Sequence, residues 1–554
     1  MSSKPINTNT VAGRAWPHRA SELGDRLPDG FTIGVASSAF QIEGAARDGG
    51  RAESAWDPFT ATAGRIVDGS NASVSADHYN KLPGDLTLLG ELGVDAYRFS
   101  FAWSRVQPDG RGALARTGLA FYDRLVDGLL AAGIRPMATL HQRDLPLALR
   151  GGWLNRDTAS RFADYAYELG AVFGDRVDAW VTLDEPATVT LAGYALGTDA
   201  PGEARLFAAL PAAHHQLLGH GLAVQGLRAA DVRGGIGIAN AYSPVQPASD
   251  READEVAAAL FDLLHNRVFA DAVLLGSYPV PPEPYETELR LLLETEPEDL
   301  RTIHQPLDFY GLNYVQPSRV AAGPVPVVSG AVAGGGPSGN GAGGARGEAG
   351  AGSGPRGPGS RGPGSRGPGS RGPASRAGGP GGPGAAGSGV GPRTAANAGR
   401  VDENAPVVSF PFHVLPFREF TVTGAGRAIA PAYLGVALTE LATRYGDALP
   451  PVYLTSLGAS FPDQVDSRGA VDDPARIDYL AEHLVAALDA VAPGKPAAGV
   501  SMRGAFVWSL LDGFEWTAGY TQRYGLVRVD FADPERKRTP KSSYRWLQKV
   551  LAAR

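Results

Sequence analysis

Eight short β-rich runs, alternating with amphipathic helical stretches, predict an α/β chain closed as a single (β/α)8 TIM barrel. The composition agrees: 43% apolar and 20% charged residues over 554 positions are the balance of one large globular body. One segment breaks the alternation, a Gly/Pro/Ser/Arg tract over 321–400, and it reads as a long disordered insertion after strand six.

The strand candidates are, in order, FTIGVASS (31–38), AYRFSF (96–101), RPMATL (135–140), AWVTLDE (179–185), GGIGIAN (234–240), DFYGLNYV (308–315), PVYLTSLG (451–458) and GAFVWSLL (504–511). Each is a short apolar run rich in β-branched or aromatic residues, as strands buried on both faces require. Between them DLTLLGELG, TGLAFYDRLVDGLLAAG and RIDYLAEHLVAALDAVA place apolar residues at helical spacing. The expected organisation is an N-terminal extension (1–27), the first part of the barrel (28–320), the insertion (321–400) and the second part (401–554).

Within the insertion RGPGS repeats three times between Arg356 and Ser370. A period of five excludes a collagen helix. Almost no side chain there can enter a core, so chain entropy predicts disorder. A tolerated loop expansion and a basic tether for an anionic partner both fit. Its place after strand six hangs it from the C-terminal rim of the barrel.

A net charge of −7 is small for this length and implies no affinity for nucleic acid or an anionic membrane. The absence of cysteine removes disulfides, thiolate metal sites and a thiol nucleophile. The N-terminal MSSKPINTNTVAGRAWPHRA lacks an apolar core for a secretion signal, and no apolar run of about 18 residues suggests a membrane span. A cytoplasmic location is the expectation. No metal-ligand spacing and no dinucleotide fingerprint occurs, so neither metal nor cofactor is expected.

The strand ends carry SSAFQIEGA (37–45), SAWDPF (54–59), AYRFSFAWSRVQPDG (96–110), GGWLNRD (151–157), TLDEP (182–186) and VWSLLDGFEWTAGYTQRYGLVRVDF (507–531), in order. Together they resemble the family 1 glycoside hydrolases, the β-glucosidase-like barrels, from about Pro28 to Leu551. The resemblance implies a small sugar or β-glycoside as partner and retaining hydrolysis by two carboxyl groups about 5–5.5 Å apart. It puts Glu185 of TLDEP at the acid/base position. Gln41, Glu515, Trp508 and Trp516 match residues that hold sugar hydroxyls or line the ring, and Asn313 opens the family's motif after strand six.

Other positions depart from the family. The nucleophile motif [IV]-T-E-N-G reads LTSLG here, which puts Ser456 where the nucleophilic glutamate stands. Asp184 replaces the asparagine before the acid/base, and its charge is expected to favour protonated Glu185. In LHQRDLP, Gln142 takes the place of a sugar-binding histidine and Arg143 that of a tryptophan. His141 is one residue early and should face away. Val315 replaces a tyrosine that bonds the nucleophile. Arg98, normally beside the nucleophile, needs another anion: Asp184, Glu185 or a bound ligand. Arg98 and Arg143 are therefore candidate anion-binding residues.

A serine hydroxyl without an adjacent base is a poor nucleophile. Three readings stay open at this level: an enzyme with altered chemistry, a catalytically silent sugar-binding or regulatory protein, and an ordinary β-glucosidase with a substitute residue. An inverting variant of the first needs a base about 6.5–9.5 Å from the acid, for which Asp463 is the candidate.

Overall fold

The computed structural model describes residues 16–293, 296–324 and 409–554. Most of the 321–400 insertion and the first fifteen residues lie outside them. All eight expected strands form: β1 (Thr32–Ala36), β2 (Ala96–Ser100), β3 (Arg135–His141), β4 (Ala179–Asp184), β5 (Gly235–Tyr242), β6 (Phe309–Tyr314), β7 (Val452–Leu457) and β8 (Met502–Trp508). They pair in parallel, in the closed order β1-β8-β7-β6-β5-β4-β3-β2. Closure leaves no sheet edge and directs every strand's C-terminal end to one face.

The strands are apolar on both faces because two cores need them. Inside the barrel Met137, Val181, Phe309 and Phe506 pack with small Ala36, Ala96, Ala179 and Ala239. Outside, the helices cover the second core, and their burial follows the sequence period. Helix Arg116–Ala131 buries Phe121, Tyr122, Leu125, Val126 and Leu129, and helix Pro474–Ala490 buries Ile477, Leu480, Ala481, Leu484 and Leu488. Helix His78–Leu92 stops at Gly93, whose φ of 76° is the left-handed cap that glycine adopts without strain.

The insertion boundary differs from the compositional one. Ala321 and Ala322 belong to a strand, Ser318–Ala322, paired antiparallel with Phe412–Leu415 and parallel with Val245–Pro247. Alanine is compatible with both low complexity and a packed strand, so composition alone places the edge too early. Among the described residues no helix is long and apolar enough to cross a membrane.

Candidate functional site

The C-terminal ends of the strands surround a cavity of about 660 Å³. Gln41, Gln142, Arg143, Asp184, Glu185, Asn313, Ser456, Trp508, Glu515 and Trp516 all line it. Ten of the eleven site residues singled out in the sequence therefore meet in one place. Arg98, the eleventh, lies behind the wall with its side chain fully buried.

The floor is a hydrogen-bonded layer between strands. Arg98 on β2 donates from Nη1 to Asp184 Oδ1 on β4 at 2.8 Å. Asp184 also accepts from Gln142 Nε2 (2.8 Å) and Asn313 Nδ2 (3.1 Å). Thr455 Oγ1 donates to Asn313 Oδ1 at 2.7 Å, which turns the amide NH2 toward the two carboxylates. The same NH2 reaches Glu185 Oε1 at 3.1 Å. Register slips let the layer form: β7 shifts against β6 between Leu454 and Ser456, and β4 against β5 between Val181 and Asp184. Such irregularities re-aim side chains at a barrel rim. Gly458 is demanded by the same crowding, since a Cβ there would lie 1.8 Å from the Trp508 carbonyl oxygen.

A second layer sits nearer the mouth. Arg143 follows β3 with a φ of 69° and Glu185 follows β4 with a φ of 52°, both left-handed. Their side chains form a short charge-assisted hydrogen bond from Nη2 to Oε2. Arg143 Nη1 also reaches Asp199 Oδ2 at 3.4 Å, and its guanidinium lies 5.0 Å from the Trp516 ring centroid. Thr188 Oγ1 donates to Glu185 Oε2 at 3.0 Å.

These contacts set the carboxyl groups apart. Burial pushes Glu185 upward, but the Arg143 charge and the hydrogen bonds from Asn313, Arg143 and Thr188 outweigh it and hold the group below its ordinary range. The expectation that Asp184 keeps Glu185 protonated is thus reversed: Arg98 is paired with Asp184, and Arg143 faces Glu185. Asp199 is raised by burial despite Arg143. Glu515 is pushed up to about 8, chiefly by burial and then by Asp512, against the opposing Gln41 and Arg143. Gln41 Nε2 bonds Glu515 Oε2 at 3.0 Å.

Two further expectations resolve. His141 turns away as the strand alternation requires, its ring edge-on to Trp153 at 5.4 Å, and burial lowers its pKa to about 3. Asp463 is not opposite Glu185: it belongs to a buried cluster with Lys541 (2.8 Å) and Arg476 (3.6 Å), and Lys541 also holds Asp512 at 3.0 Å. An aspartate a few residues past a strand end is equally able to turn back into the barrel wall, which sequence distance does not reveal.

The family model described as Glycosyl hydrolase family 1 matches residues 23–333 and 402–554. The chain belongs to glycosyl hydrolase family 1. It is a β-glucosidase-like member, 37% identical to a β-glucosidase of Agrobacterium sp. (strain ATCC 21400), with 95% of each chain covered. It is 33% identical to β-glucosidase A of Thermotoga maritima, over 95% of this chain and 98% of the relative. Among solved structures, the family 1 β-glucosidase of Thermotoga maritima superposes with a TM-score of 0.73 at 32% identity, covering 95% of this chain and 98% of that one. The virulence factor SghA, in complex with its substrate analogue salicin, gives a TM-score of 0.75 at 35% identity, covering 96% and 98%.

This family 1 chain also brings in residues that its motifs do not flag. Asp199 and Thr188 come from the segment after β4, and Thr455 directly precedes Ser456. Arg427, His265 and Tyr524 complete the wall toward the mouth. Thr455, inside LTSLG, and Tyr524, inside the 507–531 motif, had a sequence signal. The rest sit in segments with no fixed spacing to a strand end.

Proposed function

We propose that the chain binds β-glycosides in this cavity and that double-displacement hydrolysis is impaired, because Ser456 stands where the family's nucleophile does. The supporting observation is the pair of ion pairs, Arg98 with Asp184 and Arg143 with Glu185. In the first, the negative charge beside Arg98 is supplied by β4 while β7 brings only hydroxyls. In the second, Arg143 lowers the pKa of the residue matched to the acid/base and favours its ionised form, the wrong state for protonating a leaving group. Gln41, Glu515, Trp508 and Trp516 still offer polar groups and indole faces to a polyol. Burial raises the Glu515 pKa to about 8, which favours the protonated form that can donate to a sugar oxygen as well as accept.

The Arg143–Glu185 contact favours a second reading, a sugar-binding protein without turnover. One assay compares them: hydrolysis of an activated aryl β-glucoside by wild type and by Ser456→Glu, each with and without azide or formate. Wild-type silence relieved by the small anion, with a gain of about 100-fold or more, is expected for a formed site lacking its nucleophile. Silence under every condition, with calorimetric binding of the glucoside, selects the binding protein. Rapid unassisted turnover by wild type overturns both.

A further inference from the structure

Arg143 is a cation built into the cavity rather than at its edge. Its side chain is 17% exposed, so it is reachable from the cavity while largely shielded from water. Holding a non-glycine residue at a φ of 69° strains the backbone, and such strain persists only where surroundings impose it. The guanidinium is braced over the Trp516 ring, the same indole that faces the cavity. It presents its two terminal nitrogens to two different carboxylates, Glu185 and Asp199. A planar fork so held matches carboxylate geometry better than that of a neutral hydroxyl.

The other charged groups of the cavity are already matched or shifted toward their neutral forms, apart from Arg427. Asp184 is matched by Arg98 from β2, and Glu515 after β8 is pushed up to about 8, which favours its protonated form. Asp199 is pushed upward by burial, and His265, from the helix behind β5, is lowered by burial and neutral. Arg427 lines the mouth, is exposed, and has no ion pair among the described residues. A neutral glycoside offers either arginine only hydroxyl and ether oxygens, whereas a carboxylate also meets its charge.

We infer that the cavity selects a glycoside carrying a carboxylate, and that this carboxylate takes Arg143 from Glu185. The inference rests on the sugar-binding reading above and narrows it to an acidic ligand. Once its cation is shared with the ligand, Glu185 keeps only the Asn313 and Thr188 donors, and burial then drives it to take up a proton. The ligand arrives ionised, the proton comes from solvent, and Glu185 becomes the neutral acid that proton donation needs. Ligand capture and readiness of the acid are thus one event.

Titration calorimetry tests this with three probes: a neutral aryl β-glucoside, an aryl β-glucuronide with its carboxylate on the sugar, and a carboxyphenyl β-glucoside with it on the aglycone. Runs in buffers of different ionisation enthalpy count protons. One acidic probe is expected to bind about tenfold or more tighter than the neutral one, with uptake of about one proton; which one does so tells on which side of the scissile bond the anion sits. Arg143→Gln should erase the preference and the uptake. Glu185→Gln should keep the preference and erase the uptake, and it decides the matter if Arg143→Gln does not fold. Equal binding of neutral and acidic probes, or a preference that survives Arg143→Gln, overturns the inference and leaves the sugar-binding reading standing. Failure of every probe to bind overturns both.

Discussion

Arg98 has no exposed side chain surface and one charged partner, Asp184. Its Nε and Nη2 find no hydrogen-bond acceptor among the described residues. A guanidinium does not escape by losing its proton, so the anion at position 184 sustains it. Asp184→Asn should therefore cost about 3 kcal/mol or more, the usual penalty for stranding one member of a buried pair. Resemblance to the family puts position 456 beside Arg98, so adding Ser456→Glu to that variant should return a large part of the loss. Chemical denaturation of both variants checks this, and no recovery in the double variant would refute the relocation of charge from β7 to β4. At this scale a residue's place in the cavity was legible where a motif fixes the position, as for Gln41, Glu185 and Ser456. Sequence reading named Asp184 among the possible partners of Arg98 because Ser456 leaves that arginine without the family's anion. It missed the partners of Arg143, because Asp199 lies fifty-six residues on in an irregular segment. It also let Asp184 decide the charge of Glu185, where Arg143 and the hydrogen bonds from Asn313 and Thr188 weigh more.

The elements were the most legible part of the chain. Every barrel strand was foreseeable because a strand buried on both faces must be apolar throughout, and the core faces of helices Arg116–Ala131 and Pro474–Ala490 because the 3.6-residue period is imposed by one-sided burial. The slips in register were not foreseeable. They arise from how β4 and β7 meet their neighbours, a property of pairs that no single run encodes. The β7–β8 junction shows the tightness this creates. Gly458→Ala would drive a Cβ into the Trp508 carbonyl oxygen, and since backbone on both sides must move, a loss of about 1–3 kcal/mol is expected. Trp508 lines the cavity, so its fluorescence should shift with the change in stability. A urea midpoint equal to wild type would show that the junction is looser than it is drawn.

For the molecule as a whole, the barrel is continuous across the residues that the insertion separates in sequence. β6 and β7 pair directly, and the chain on either side of 325–408 is joined by the Ser318–Ala322 and Phe412–Leu415 ladder. Gly323 N extends it by bonding Pro411 O at 2.9 Å. Replacing 325–408 by a short Gly/Ser turn shortens the loop roughly twentyfold and should add about 2–3 kcal/mol through reduced closure entropy. A melting temperature at or above that of the full chain, with unchanged circular dichroism, is the expected result; collapse of the fold would contradict it. That ladder has a wider meaning. Adjacent strands run about 5 Å apart, so departing and returning polypeptide share one narrow doorway whatever length lies beyond it. Any cassette placed there, natural or engineered, has to bring its two ends home side by side.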